Sequence, residues 1–155
     1  MTATHRIRSA DASDLDAIMA IEQASFGPGA WDRETMRVEI ASEWGRYLLA
    51  EDADGAAVGY AGLRAVGVEG DVQTIAVAAA ARGRGIGRAL LLALIVEAER
   101  RGVRELFLEV RADNPVARTL YASVGFVEIG LRPRYYQPED VDAVVMKRMP
   151  TGVEG

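Results

Sequence analysis

The chain has 155 residues, half of them hydrophobic, and its formal net charge is −5 at pH 7. This length lets one domain bury its own core, so we expect a single domain over residues 1–150 and a flexible tail at residues 151–155. With no cysteine, the chain has neither disulfides nor thiolate metal sites. The acidic balance argues against nucleic-acid binding, and no apolar run reaches the ~18 residues that a membrane helix needs. We therefore expect a cytoplasmic protein that binds neither membranes nor nucleic acid.

The first half of the chain predicts two helices among four strands. In chain order these are a strand at residues 5–8, a helix after residues 11–14, a Gly/Pro loop at 26–30, a helix at 32–42, and strands at 47–51, 58–66 and 72–80. In the first helix, Leu15, Ile18 and Glu22 recur at helical spacing. Asp52-Ala53-Asp54-Gly55 predicts a hairpin turn between the second and third strands.

The second half predicts two more helices and three more strands. These are a helix at residues 88–101, a strand at 106–110, a helix after residue 114, and strands at 127–131 and 143–148. Gly102 follows the first of these helices at the position that a left-handed C-cap prefers. Asn114 and Pro115 suit the N-cap and first position of the second helix, and Gly125 suits its end.

A glycine-rich segment, Arg82-Gly83-Arg84-Gly85-Ile86-Gly87, joins a predicted strand to a predicted helix. Backbone N–H groups at a helix N-terminus attract phosphate, and glycine lets a ligand approach the main chain. A dinucleotide fingerprint starting at Gly83 requires glycine at position 88, and a Walker loop requires lysine followed by Ser/Thr, so Arg88 breaks both patterns. A tight turn that merely caps the helix is the alternative.

Arg-x-x-Gly-x-Gly at residues 82–87 resembles the acetyl-CoA pyrophosphate loop of the GCN5-related N-acetyltransferases (GNAT). Residues 106–114, 120–126 and 134–136, with Glu139-Asp140, resemble the RimI-type branch of that family, the ribosomal-protein alanine N-acetyltransferases. The resemblance implies the GNAT acyl-CoA N-acyltransferase fold, an α/β (α+β) fold with a central mixed, mostly antiparallel sheet of about seven strands flanked by about four helices.

This resemblance runs from Arg6 to Met149, with one departure. In the Gln137 to Asp142 loop, Val141-Asp142 intervenes before the strand that begins at Ala143. The implied activity is direct transfer of an acetyl group from acetyl-CoA to a protein N-terminal amine, with no metal. The implied partner is a basic ribosomal protein, the eighteenth of the small subunit, which is modified on its N-terminal alanine by a monomeric enzyme. Acetylation of a lysine or small-molecule amine on the same fold, and a non-catalytic acyl-CoA sensor, are the alternatives.

Acetyl-CoA is expected to contact a strand end, the glycine loop and a helix cap. The positions that match the family's coenzyme-binding residues are Ile75, Ala76, Val77, Arg82, Gly83, Arg84, Gly85, Ile86, Gly87, Arg88 and Asn114. By resemblance, the main chain of the strand binds pantetheine and the loop binds the pyrophosphate.

Two titratable side chains match the family's proton-transfer groups. With His5 as the one histidine and no Gly-x-Ser-x-Gly elbow, a serine triad is excluded. Strand alternation puts Glu109 on the face opposite Leu108, where an ion pair with Arg111 or another arginine of the sheet is the alternative to catalysis. The resemblance makes Glu109 the proton acceptor and Tyr121 the proton donor. For Tyr121, the alternative is a core tyrosine with its hydroxyl at the surface.

The acceptor peptide is expected to meet aromatic side chains. Trp31 follows the Gly/Pro loop, and Arg134-Tyr135-Tyr136 forms a second aromatic group. Paired tyrosines offer flat apolar surface and hydroxyl donors at small entropic cost. Glu139, Asp140 and Asp142 can attract a basic N-terminus. Ordinary packing for Trp31 and a solvated acidic loop are the alternatives.

Overall fold

The computed structural model describes residues 5–150, so the predicted tail at 151–155 lies outside the described residues. These residues form seven strands and four α-helices, as predicted. They are β1 (His5–Ser9), α1 (Leu15–Phe26), α2 (Arg33–Ala41), β2 (Gly45–Asp52), β3 (Ala57–Val66), β4 (Glu69–Val77), α3 (Ile86–Arg100), β5 (Glu105–Arg111), α4 (Pro115–Ser123), β6 (Val127–Tyr136) and β7 (Val141–Arg148). Within this range, no helix has the length and apolar composition needed to cross a membrane.

The strands form one seven-stranded sheet, in which they follow the order β1-β2-β3-β4-β5-β7-β6. Strands β4 and β5 pair parallel, whereas β1–β2, β2–β3, β5–β7 and β6–β7 pair antiparallel. The predicted mixed, mostly antiparallel sheet is thereby confirmed.

The chain divides into two compact units. The first comprises the chain up to Arg64 together with Val72–Glu97, and the second comprises Ala65–Asp71 together with the chain from Ala98 onward. The single domain over residues 1–150 stays a prediction.

Helix α1 supplies the core of the first unit. Its side chains at helical spacing pack with α2, β2, β3 and β4 in a buried cluster of Leu15, Ile18, Met19, Ile21, Met36, Tyr47, Leu49, Tyr60 and Ala76. The apolar stripe predicted from Leu15 and Ile18 is thus confirmed. Glu22 lies on the same stripe and is only 1% exposed.

Strand β5 supplies the core of the second unit. Leu106, Leu108 and Val110 are buried on one face, and Glu109 is exposed on the other, which confirms the alternation predicted for this strand. Helix α4 begins as predicted, with Asn114 as its N-cap and Pro115 in the first turn.

Two predicted boundaries around the glycine loop are wrong. Strand β4 ends at Val77 rather than residue 80, because Ala79–Ala81 turns into a 3₁₀-helix with a hydrogen bond from Ala81 N to Ala78 O. Helix α3 begins at Ile86 rather than Arg88, so Ile86 and Gly87 belong to its first turn.

The ends of β6 and β7 also differ from prediction. Strand β6 continues past residue 131 to Tyr136, and β7 begins at Val141 rather than Ala143. The register shifts between Arg132 and Tyr136, where Tyr136 pairs with Val141. Pairing across this irregularity extends both strands, so Arg134-Tyr135-Tyr136 lies within β6 and only a short turn remains of the predicted loop.

Candidate functional site

The glycine loop of the first unit has the open backbone that a phosphate cradle requires. Gly83 and Gly85 have φ of +81° and +77°, and a Cβ built on either residue meets no atom within 4 Å. The Arg82 guanidinium donates from Nε to the Val77 carbonyl at 3.1 Å, which ties the loop to the end of β4. The first turn of an α-helix presents backbone N–H groups without intrahelical partners, and α3 begins directly after Gly85. Main-chain donors, open space and nearby arginines together suit a pyrophosphate.

Side chains of α3 pack closely on β3 at Gly59, beside the end of β4. A Cβ on Gly59 of β3 would meet the Ala76 carbonyl oxygen at 3.1 Å and side-chain atoms of Leu90 and Ile86 at 3.2 and 3.3 Å. A glycine at this position therefore lets the helix approach the strands. The proposed pantetheine-binding main chain, from residue 75 to residue 77, lies on β4 in the same unit.

Trp31 lies at the end of the loop between α1 and α2. Its ring is half-buried and packs against the core cluster, as the packing alternative for this residue expects. Its backbone N donates to Oε2 of Glu22 at 2.9 Å. The sequence analysis did not assign Glu22 a role, although a carboxylate on an apolar helical stripe was a visible signal.

In the second unit, the exposed carboxylate of Glu109 is ion-paired. Its Oε2 lies 2.8 Å from Nη1 of Arg132 on β6. The sequence analysis expected this alternative to involve Arg111 or another arginine of the sheet, and the second form is observed, because Arg111 instead binds Asp113 at 3.0 Å and Glu139 at 3.3 Å. Arg132 is a site residue that the sequence analysis missed, because its proximity to Glu109 depends on the β6–β7 register.

Tyr121 of α4 is buried, 7% exposed, with its ring edge-on to Phe126 at a centroid distance of 6.1 Å. Burial, reinforced by Tyr136, raises the pKa of Tyr121 to about 12. Burial and then the charge of Glu109 raise the pKa of Tyr136 to about 12 as well. Tyr136 therefore lies within electrostatic range of both Tyr121 and Glu109. Both phenols are protonated at neutral pH.

Asn114 and Tyr121 lie seven residues apart on α4, or about two helical turns. The Asn114 side-chain oxygen accepts from Ala117 N at 3.1 Å, and the residue is exposed. The cap uses the oxygen of the side-chain amide, so its NH₂ group can serve a ligand at this end of the helix.

The two tyrosines at the end of β6 make cation–π contacts with two arginines. Tyr135 and Tyr136 meet edge-on at 5.1 Å, Arg132 lies over Tyr135 at 4.2 Å, and Arg111 lies over Tyr136 at 5.3 Å. Arg134 has φ of +53°.

The acidic side chains expected to attract a basic peptide have partners within the second unit. Asp142 accepts from the backbone N of Arg134 at 2.9 Å, and Asp140 accepts from the Gln137 side chain at 2.7 Å. Glu139 binds Arg111, as described above. These contacts stabilise the turn and leave less of its negative charge for a peptide.

Comparison with known proteins agrees with this geometry. Residues 15–126 match the family model described as the acetyltransferase (GNAT) family. The chain is 41% identical over 140 residues to the N-alpha-acetyltransferase RimI of Mycobacterium tuberculosis, covering 88% of this chain and 83% of that protein. It is 37% identical over 142 residues to the [ribosomal protein bS18]-alanine N-acetyltransferase of Escherichia coli, covering 90% and 94%. An uncharacterized protein of Mycobacterium leprae is 43% identical over 141 residues, but the chain spans only 38% of its length.

Solved structures give the same result. The crystal structure of the ribosomal-protein-S18-alanine N-acetyltransferase from Escherichia coli has a TM-score of 0.86 and 33% identity, covering 98% of this chain and 100% of that one. The ribosomal-protein-alanine N-acetyltransferase from Brucella melitensis has a TM-score of 0.82 and 29% identity, covering 94% and 99%. The chain therefore belongs to the GNAT acetyltransferase family.

Proposed function

We propose that the chain is an acetyl-CoA-dependent N-alpha-acetyltransferase of protein N-termini, and that its acceptor is the N-terminal alanine of ribosomal protein bS18. The observation that carries this proposal is the identity of 41% and 37% to proteins named for that chemistry, over 83% and 94% of their lengths. The ribosomal acceptor in the name of the Escherichia coli protein also supports a cytoplasmic setting. We further propose that the chain works as a monomer with one catalytic domain over residues 1–150.

Acetyl-CoA supplies the acetyl group as a thioester. The glycine loop, with the amides that open α3 and the side chains of Arg82, Arg84 and Arg88, would hold its pyrophosphate. The main chain at residues 75–77 would hold pantetheine, and Asn114 would add an amide contact. The open glycine geometry supports this assignment, because main-chain donors and guanidinium groups both suit phosphate oxygens.

Glu109 would accept the proton that the substrate amine loses. An α-amine has a pKa of about 8, so roughly a tenth of it is neutral at pH 7, whereas a lysine amine, with a pKa of about 10.4, is a few hundredfold less available. A carboxylate is a weak base, so it suits the first amine better than the second. The ion pair with Arg132 at 2.8 Å is the alternative that the sequence left open for Glu109, so a base role requires the substrate amine to share the carboxylate with this guanidinium or to displace it.

Tyr121 would donate a proton to the departing sulfur. A pKa of about 12 keeps its hydroxyl protonated throughout the neutral range, so the donor is available at every turnover. Trp31, Arg134, Tyr135 and Tyr136 would contact the acceptor peptide. The chain's net charge of −5 favours a basic peptide overall.

The test compares two peptides that begin Ala-Arg and contain lysine, one with a free N-terminus and one with that amine blocked. We expect acetylation of the free peptide at its α-amine, located by mass spectrometry, and none of the blocked peptide. Equal rates on the two peptides would support the lysine or small-amine alternative. Acetyl-CoA binding without release of free thiol would support the non-catalytic sensor.

A further inference from the structure

Glu22 is a buried carboxylate to which the proposed chemistry assigns no task. It is 1% exposed on α1, on the stripe that carries Ile18 and Met19. Within residues 5–150, its hydrogen-bond partners are three neutral donors rather than a cation. Burial raises the pKa of this carboxyl, opposed by the hydrogen bonds from Trp31 and Thr74. Burial without a cation is costly, so this side chain calls for an explanation beyond packing.

The three donors come from three different segments of the first unit. The backbone N–H of Trp31 donates to Oε2 at 2.9 Å. The hydroxyl of Tyr60 on β3 donates to Oε1, and the hydroxyl of Thr74 on β4 donates to the same oxygen at 3.4 Å. The two carboxylate oxygens therefore bond different segments: Oε2 accepts from the loop, and Oε1 accepts from the strands.

The loop that is bonded to Oε2 has a glycine-rich sequence that does little to fix its own conformation. Residues 27–29 read Gly-Pro-Gly and are exposed, and Gly27 has φ of +51°. The backbone bonds given for residues 27–30 are short-range, from Gly27 N to Gln23 O and from Ala30 N to Gly27 O at 3.0 Å. The bond from Trp31 to Glu22 therefore ties the end of a glycine-rich loop to the rigid core.

Stability alone does not account for a carboxylate here. An apolar side chain of similar volume in a buried site is often neutral or stabilising relative to a buried charged group. What a leucine cannot do is accept the Trp31 N–H. The property specific to Glu22 is therefore the position of Trp31, one of the residues proposed above to contact the acceptor peptide.

We propose that Glu22 is a positioning residue that sets the loop at residues 27–31 for the acceptor peptide. This inference rests on the proposed function, because that function gives Trp31 its peptide contact. Glu22 itself does not touch the peptide, since it is buried.

The experiment compares four variants of the full chain. Glu22→Leu removes both acceptors, and Glu22→Gln keeps one oxygen for the Trp31 N–H. Tyr60→Phe removes the hydroxyl from Oε1 and leaves the loop bond intact. The double variant Glu22→Leu/Tyr60→Phe also removes the phenol hydroxyl, which in Glu22→Leu loses its carboxylate acceptor and keeps only the Thr74 hydroxyl at 3.1 Å. The readouts are the thermal midpoint, amide hydrogen exchange at Trp31, and calorimetric Kd values for acetyl-CoA and for the Ala-Arg peptide in the presence of CoA.

We expect Glu22→Leu to speed exchange at Trp31 and to weaken peptide binding about tenfold or more, because small displacements of a positioning element are costly. Acetyl-CoA binding should stay within about twofold, and Glu22→Gln and Tyr60→Phe should keep near-normal peptide affinity. The double variant should regain thermal stability relative to Glu22→Leu and keep its weak peptide binding. A merely structural role predicts instead that stability and peptide affinity recover together.

The inference is overturned if Glu22→Leu binds the peptide within about twofold of wild type, or if the double variant restores peptide affinity along with stability. A wild-type protein that binds the peptide and does not acetylate it contradicts the proposed function alone, because the Kd values of the variants still test Glu22. A wild-type protein that does not bind the peptide contradicts both.

Discussion

Arg132 reaches across strand β7 to form an ion pair with Glu109, with 2.8 Å between Nη1 and Oε2. In the β6–β7 and β5–β7 registers, Arg132 and Arg111 both pair with Ala143, so the three residues form one row across the second unit. The carboxylate that we propose as proton acceptor thus already binds a cation, which an incoming ammonium must share or displace.

Replacing Arg132 should affect the reaction more than the fold. The pair is partly exposed, with side-chain exposures of 54% and 31%, so Arg132→Gln should leave the free energy of unfolding nearly unchanged. Because Glu109 loses the contact that orients it, kcat/KM for the peptide should fall about tenfold while acetyl-CoA affinity is retained. Steady-state kinetics and calorimetry measure both. Arg6→Gln, which breaks an exposed pair with Glu51 at 3.0 Å, is the control that should leave kcat/KM unchanged. Equal effects of the two variants would contradict a role for Arg132.

Removing the Tyr121 hydroxyl should lower kcat by roughly 10- to 10⁴-fold, the usual range for general acid–base catalysis, with little change in KM. With its pKa raised to about 12, Tyr121 stays protonated below that pH, so wild-type kcat should show no loss from this group between about pH 8 and pH 10. Tyr47→Phe removes another buried phenol hydroxyl, bonded to Gln73 at 3.1 Å, and should lower stability without lowering kcat. Near-normal turnover of Tyr121→Phe would refute its assignment as the donor.

The glycine loop can be tested with a control matched for backbone strain. Gly85 and Gly55 have φ of +77° and +83°, and neither has an atom within 4 Å of a Cβ built on it. Alanine at either position should cost about 1–2 kcal/mol of stability. Only Gly85→Ala should weaken acetyl-CoA binding, and Gly85→Glu should abolish it by placing negative charge at the pyrophosphate. Calorimetry with an unchanged Kd for Gly85→Glu would refute the loop assignment.

Asp14 should make stability fall in acid. It is 8% exposed and accepts two hydrogen bonds from Arg8, at 2.8 and 3.0 Å, which hold the pKa of its carboxyl below the usual value. A lowered pKa contributes stability that is present above the unfolded-state value of about 3.9 and is lost as the pH falls through the folded-state value. Asp14→Asn should therefore cost about 1.5–3 kcal/mol at pH 7, and less as the pH falls below about 4.

Urea unfolding as a function of pH checks this prediction. Asp16→Asn breaks an ion pair of 2.5 Å with Arg33, but both side chains are well exposed, so it should change stability by no more than about 0.5 kcal/mol. A constant difference between wild type and Asp14→Asn from pH 7 to pH 3 would show that the ionised carboxylate is not the source of the stability.

Several parts of the fold could be predicted because their signals are local. The Asn114 cap, the positive φ of Gly102 and the alternation of β5 each depend on a few neighbouring residues, and all three are observed. The glycine loop belongs to this class, since its pattern is contiguous in the chain. The predicted end of β6 and the predicted start of β7 were wrong, because the extension of these strands depends on pairing between them, which the propensities of single residues do not capture.

The sequence by itself determined the order of elements, the face of β5 that bears Glu109, and the family whose motifs the chain carries. Only the tertiary structure decided which partners these residues have. Alternation places Arg111 two residues from Glu109 on the same face. The carboxylate nevertheless binds Arg132, which is 23 residues away on β6, and the two strands are neighbours of β7 on either side. Glu22 likewise receives Tyr60 and Thr74 from 38 and 52 residues away. Hydrogen bonds between distant segments follow from strand register and helix packing, and neither can be predicted from a short stretch of sequence.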